Sequence, residues 1–179
     1  MLISPEYREQ QEKLHENPNY GVASMQYADT VINLINTLGV TEVLDYGAGK
    51  GRLGMTITEN EEKLMGPLQL YQYDPGVEEI AEAPDPAQMV VCIDVLEHIE
   101  PELLDNVLDD LKRVTDKVGF FTIHTGPAVK VLPDGRNAHL IQEDYTWWLP
   151  KLWERFRIHS FSHDQHGFKV ICRSLTTQN

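Results

Sequence analysis

Apolar positions along the chain follow two rhythms. Met25, Ala28, Val31, Ile32, Ile35 and Leu38 recur at helical spacing and predict a helix that Ser24 caps and Gly39 ends. Leu103, Leu104, Val107, Leu108, Leu111 and Val114 form a second helical stripe. Pro101 and Glu102 stand at the start of that helix and Lys112 and Arg113 at its end, as the helix dipole favours. Residues 5–16 are polar and charged, and predict a helix stopped by Asn17-Pro18-Asn19. Residues 145–156 are aromatic-rich and mostly helical, with Pro150 expected in a first turn or breaking the helix. Between these lie short apolar runs that read as strands: 42–46, 68–73, 89–93, 118–124, 156–161 and 168–174. The run 89–93 is apolar throughout, as in a central parallel strand buried on both faces. The last two runs are joined by only residues 162–167, which implies an antiparallel pair. The order predicts an α/β domain with a Rossmann-like, mostly parallel sheet and a C-terminal antiparallel strand.

Composition narrows the class without choosing a function. A chain of 179 residues is expected to form one domain with a substantial core. No apolar run has membrane length, and no secretory pattern appears, so a cytoplasmic protein is expected. Cys92 and Cys172 both sit in apolar strand-like runs and read as small core residues rather than a disulfide or metal pair. The balance of 15 basic against 28 acidic side chains disfavours broad binding to DNA or RNA. A local basic patch remains open, since Lys130, Arg136, Lys151, Arg155 and Arg157 fall in the C-terminal third.

The most informative chemistry lies at residues 42–54. A strand ends at Asp45, and Gly47, Gly49 and Gly51 follow at every second position. Such glycines permit a tight turn and let backbone approach a ligand closely. Backbone N–H groups there and at the following helix can hold a carboxylate or phosphate. A carboxylate beside the turn suits a ligand that also carries an ammonium. S-adenosylmethionine, with its amino acid head group, fits both. Gly49-Lys50-Gly51-Arg52-Leu53-Gly54 also matches the G-x-G-x-x-G pattern of nicotinamide-binding folds, so that reading stays open. A Walker-type phosphate loop is excluded because Gly51, not Ser or Thr, follows Lys50.

Three segments in order carry a resemblance: Leu44-Asp45-Tyr46-Gly47-Ala48-Gly49-Lys50-Gly51, Tyr73-Asp74, and Asp94-Val95-Leu96-Glu97-His98-Ile99. From about residue 20 onward the chain resembles the class I S-adenosylmethionine-dependent methyltransferases, the third segment being common in their ubiquinone-biosynthesis-like branch. The resemblance implies that Asp45, Gly47, Ala48 and Gly49 hold the methionine portion of the cofactor. It implies that Asp74, followed by Pro75, accepts from the ribose hydroxyls, and that Asp94 and Val95 border the methionine chain. Tyr20 is expected to cover the cofactor. It also implies a division into an N-terminal helical lid (1–23), a cofactor-binding half (24–124) and an acceptor loop, aromatic helix and closing hairpin (125–179). One departure stands out. Only 14 residues separate Asp74 from Met89, and Ala83-Pro84-Asp85-Pro86 within them suits neither helix nor strand. The third strand of such a sheet is therefore expected to be reduced, which puts the usual acidic contact to the adenine amino group in doubt, with Asp85 no more than a candidate for it.

Methyl transfer needs an aligned nucleophile and, for a protonated acceptor, a base. His98, His124 and His139 are the candidates: His98 and His124 are expected at the carboxyl ends of strands, where ligands of parallel sheets bind, and His139 in the long connection that follows. Arg136 and Asn137 beside His139 are expected to be polar acceptor contacts. Glu97, His98 and His139 also resemble, in part, the metal-binding Glu-x-x-Glu-His segment and later histidine of small-RNA 2′-O-methyltransferases. Asp94 replaces the first Glu, and no metal is assigned. The resulting expectation is methyl transfer to an O or N atom of a small-molecule acceptor, with no membrane partner and no reading of oligomeric state. The alternatives are a nucleic acid methyltransferase, metal-assisted or not, and a non-catalytic cofactor-binding subunit.

Overall fold

A computed structural model describes residues 1–17 and 21–175. The chain runs α1 (Pro5–His15), α2 (Ala28–Leu38), β1 (Glu42–Tyr46), α3 (Arg52–Glu59), β2 (Gln69–Tyr73) and β3 (Ala87–Ile93). It continues through α4 (Leu104–Val114), β4 (Thr115–His124), α5 (Tyr145–Trp153), β5 (Phe156–His163) and β6 (Gly167–Ser174). The six strands form one sheet in the order β2-β1-β3-β4-β6-β5. All pairings among β1 to β4 are parallel, and β6 runs antiparallel to both β4 and β5.

Both faces of the sheet are covered, which explains the unbroken apolar run in β3. Alternate side chains go to opposite sides. Leu44, Val90, Cys92 and Phe121 pack with α4 and α5, around Leu108, Leu111 and Trp148. Val43, Met89, Val91 and Phe120 pack against α2 and α3, around Val31, Ile32 and Leu53. Both cysteines are buried and unbridged in this core, as expected from their apolar runs.

Among the described residues no strand forms between β2 and β3, where the resemblance implies one. Residues 81–86 carry no helix or strand, and among the described residues nothing pairs with the outer edge of β2. Two sequence expectations are corrected. The second helix begins at Ala28, not after Ser24, because residues 23–27 wind as a tighter 3-10 turn. Met25 and Leu38 are consequently about two-fifths exposed rather than on the buried face. Helix α5 starts at Asp144, whose carboxylate caps it, and continues through Pro150 to Trp153. Pro150 removes one intrahelical bond without ending so short a helix, while Trp148 and Leu152 on its buried face hold it to the sheet.

Strand order reverses between β1 and β3, since the chain leaves β1 for β2 on one side and returns to β3 on the other. Open α/β sheets bind ligands at the carboxyl ends of strands at such a point.

Candidate active site

At that switch point β1 delivers the glycine turn. Gly47, Gly49 and Gly51 have φ of 80°, 52° and 66°, the left-handed region that Gly enters without strain. Gly47 is also sterically fixed, because an added Cβ would lie 2.5 Å from Val95 Cγ2. The Tyr73 carbonyl accepts from the N–H groups of Gly47 (2.7 Å) and Ala48 (3.0 Å), tying the turn to the end of β2. Asp74 follows. Its Oδ2 accepts from Gly49 N–H (2.9 Å) and its Oδ1 from Gly76 N–H (2.8 Å). Each oxygen retains a second acceptor site for a ligand hydroxyl.

Asp45 lies behind this turn, 3 % exposed, rather than on the cavity wall. Its Oδ2 has no hydrogen-bond partner among the described residues. Burial, with the negative charge of Asp74 adding to it, pushes its carboxyl up to about 7. A cation brought to the turn would relieve that cost.

From β3 the chain turns sharply at Asp94, the only non-glycine residue with positive φ (59°) among the described residues. Its N–H donates to the Thr122 carbonyl and Oγ1, both at 3.2 Å. Strain held this firmly concentrates at functional sites. Glu97 one turn later is fully buried. Its Oε1 accepts from His124 N–H at 2.5 Å, and its Oε2 has no hydrogen-bond partner among the described residues. Burial, and then the adjacent charge of Asp94, raise its carboxyl well above the usual range.

The three predicted histidines come together. Ring centroids of His98 and His139 are 4.7 Å apart, and those of His124 and His139 are 4.9 Å apart. His98 Nδ1 lies 2.8 Å from the Ala138 carbonyl, and His139 Nδ1 lies 2.7 Å from the Gly126 carbonyl. A carbonyl only accepts, so both rings carry their proton on Nδ1 and present Nε2 as the basic atom. Burial pushes His98 down to about 4, and burial also lowers His139. Both are neutral at physiological pH.

One cavity of about 510 Å³ joins these parts. Gly47, Ala48, Gly49, Asp74 and Pro75 line it together with Asp94 and Val95, the latter packed against Gly47, and with His98, His124 and His139. Tyr20 lies outside the described residues. Asp85 is exposed and away from the cavity, so the structure does not support it as an adenine contact. Arg136 also misses the wall. It pairs with Asp134 at 2.7 Å and lies 6.0 Å over the Tyr7 ring. Asn137 turns to the backbone of its own loop rather than to the cavity. The acids and histidine that gather ligating atoms within 4.8 Å of one another are Asp94, Glu97 and His139, without His98.

Sequence reasoning expected a helical lid in residues 1–23 but did not name the side chains of α1 that reach the cavity. Tyr7, Gln11 and His15 line the cavity from above. Ser4 caps α1 and donates to Glu100 through its N–H (2.8 Å) and hydroxyl (2.6 Å), while the Tyr7 hydroxyl donates to the His98 carbonyl (2.6 Å). The Ser4-Pro5 start was visible as a capping signal; its long-range partners were not.

No protein-family model matches this chain, and no curated protein matches it in sequence. Solved structures do. The 1,6-didemethyltoxoflavin-N1-methyltransferase of Burkholderia thailandensis, with bound 1,6-didemethyltoxoflavin and S-adenosylhomocysteine, superposes with a TM-score of 0.66 at 16 % identity, covering 97 % of this chain and 92 % of that one. The fold is that of the class I methyltransferases. A DhpI–SAH complex shares it with a TM-score of 0.62 at 16 % identity, over 95 % of this chain and 98 % of its own. Magnesium protoporphyrin IX methyltransferase of Synechocystis PCC 6803, with bound SAM, does so with a TM-score of 0.59 at 15 % identity, over 96 % and 92 %. No helix is long and apolar enough to cross a membrane.

Proposed function

We propose that this chain is an S-adenosylmethionine-dependent methyltransferase acting on an O or N atom of a small-molecule acceptor. The observation that carries the reading is one cavity lined by both the Asp74-locked glycine turn and three histidines. Class I neighbours bound to SAM or SAH support the cofactor, and the toxoflavin enzyme supports a compact acceptor. The Asp94–Ile99 segment supports the ubiquinone-biosynthesis-like branch.

When bound, the cofactor supplies a methyl group already activated by its sulfonium. Asp74 accepts from the ribose hydroxyls, and the methionine portion lies against the Gly47–Gly49 turn, whose own N–H groups are held by Tyr73 and Asp74. Asp45 favours the ammonium from behind the turn. Asp94 and Val95 border the methionine chain. On the acceptor side His139 Nε2 takes a proton from the acceptor as the methyl group is transferred, while His98 and His124 orient it. Helix α1 acts as the lid within residues 1–23, residues 24–124 hold the cofactor, and residues 125–179 form the acceptor side.

Titration calorimetry with S-adenosylhomocysteine and with NAD tests the reading. Binding of the first, lost or strongly weakened in Asp74→Ala, is the expected result. Binding of NAD alone would overturn it in favour of a nicotinamide enzyme. A nucleic acid acceptor is disfavoured by the net charge of −13 and by the pairing of Arg136 with Asp134.

A metal-assisted version has its own support in the orphaned Glu97 Oε2 beside Asp94 and His139. Two carboxylates and a neutral imidazole suit a divalent cation, which would polarise the acceptor oxygen. Elemental analysis of the purified protein tests it: a stoichiometric divalent metal is required, and its absence together with chelator-resistant turnover would reject it.

A further inference from the structure

Residues 126–139 fold back on themselves as a clasp. Leu132 N–H donates to the Arg136 carbonyl (2.8 Å), Ala138 N–H donates to the Lys130 carbonyl (3.0 Å), and Val131 bridges Asn137. The tip carries the Pro133-Asp134-Gly135 turn, with Gly135 at φ 91°. Its two legs meet at half-buried Asn137, whose side chain makes three bonds to backbone. Asn137 Oδ1 accepts from Ala128 N–H and from His139 N–H, both at 2.9 Å, and Nδ2 donates to the Ala128 carbonyl at 2.8 Å. One amide therefore joins the residues just after Gly126 to those just after Ala138.

Those are the residues that dictate the histidine tautomers. The Gly126 carbonyl receives His139 Nδ1–H (2.7 Å) and the Ala138 carbonyl receives His98 Nδ1–H (2.8 Å). His124 Nδ1 lies near both groups of Gly126, 3.0 Å from its N–H and 3.2 Å from its carbonyl. We infer that Asn137 is a positioning residue for the histidine cluster: it locks the clasp so that His98 and His139 hold their proton on Nδ1, which leaves Nε2 as the basic atom of each ring. The consequence for turnover rests on the methyl-transfer reading; the tautomer assignment does not.

The test is a long-range ¹⁵N–¹H correlation spectrum of ¹⁵N-histidine-labelled full-length protein at neutral pH, with peaks assigned from single His→Gln variants. The wild type is expected to show His98 and His139 as Nδ1–H. Asn137→Ala is expected to lose the pure Nδ1–H signature at His139, giving mixed or Nε2–H rings. Asp134→Asn, which weakens the ion pair with Arg136 at the clasp tip, is expected to leave both signatures unchanged. Asn137→Asp keeps the oxygen that accepts from both N–H groups and is expected to restore the Nδ1–H signature of His139 at least in part. An Nε2–H tautomer at His139 or His98 in the wild type would overturn the inference, even if Asn137→Ala fails to fold. So would an unchanged spectrum in a folded Asn137→Ala. Failure of the wild type to bind S-adenosylhomocysteine would instead sink the functional reading and leave these signatures as they are.

Discussion

Gly47 has no room for a methyl group, since an added Cβ would meet Val95 Cγ2 at 2.5 Å and the backbone sits at φ 80°. Gly47→Ala must strain the turn or push Val95 into the cavity, and is expected to cost at least about 2 kcal/mol. A lower Tm together with weaker S-adenosylhomocysteine binding is the predicted result, and an unchanged value of both would contradict it. Asp74 makes a different contribution, because its carboxylate both locks the turn and faces the cavity. Its replacement by Ala is expected to weaken binding by about 1–3 kcal/mol, roughly 5- to 150-fold in Kd by calorimetry. Asp45 gives this pocket a pH dependence. Its carboxyl, raised to about 7, must ionise to favour an ammonium, so affinity for S-adenosylhomocysteine should climb as pH rises toward 7 and level off above. Asp45→Asn should flatten that climb, and a climb of equal steepness in the variant would exclude Asp45 as its origin.

Helix α1 ties the walls of the cavity together. Through Ser4 and Tyr7 it grips Glu100 and the His98 carbonyl, and through Gln11 and His15 it lines the cavity. Tyr7→Phe removes the hydroxyl that donates to His98 O, a loss of about 1 kcal/mol. It should speed hydrogen exchange in α1 and dissociation of S-adenosylhomocysteine; protection in α1 equal to wild type would refute the tie. Elements of this kind were unevenly legible in the sequence. Strand β1 and the strandless connection between β2 and β3 could be read directly, because a buried parallel strand and a Pro-rich connection leave strong local patterns. The start of α2 could not, since a 3-10 turn and a helix share their first apolar spacings. Pro150 misled for a related reason: the packing of Trp148 and Leu152 outweighs one missing hydrogen bond. In the site, His98 and His124 were legible as residues near strand ends and His139 as a residue of the long connection. The partners that orient them were not, because Gly126 O, Ala138 O and the amide of Asn137 reach them across a folded clasp that no spacing encodes.

Across the whole molecule, buried ionisable groups oppose one another. His98, held at about 4 by burial, protonates more readily when unfolded, so its contribution to stability falls as pH drops from about 6.5 toward 4. Asp45 has the opposite sign. Its raised carboxyl favours the fold below the ordinary carboxylate range, and that advantage disappears as pH rises to about 7. Asp45→Asn removes only the second contribution. Urea unfolding should therefore show the variant gaining stability relative to wild type between pH 4 and 7, with no further change above; a gap independent of pH would contradict the burial of an ionising Asp45. His98 lines the cavity, and Asp45 lies behind the turn that lines it.

The most direct measurement is a crystal structure of the protein grown with S-adenosylhomocysteine. The ligand is predicted in the 510 Å³ cavity, its ribose hydroxyls on Asp74, its amino acid portion against the Gly47–Gly49 turn and its sulfur facing His98 and His139. Ligand seated elsewhere, or a cavity that stays empty at saturating concentration, would contradict the assignment.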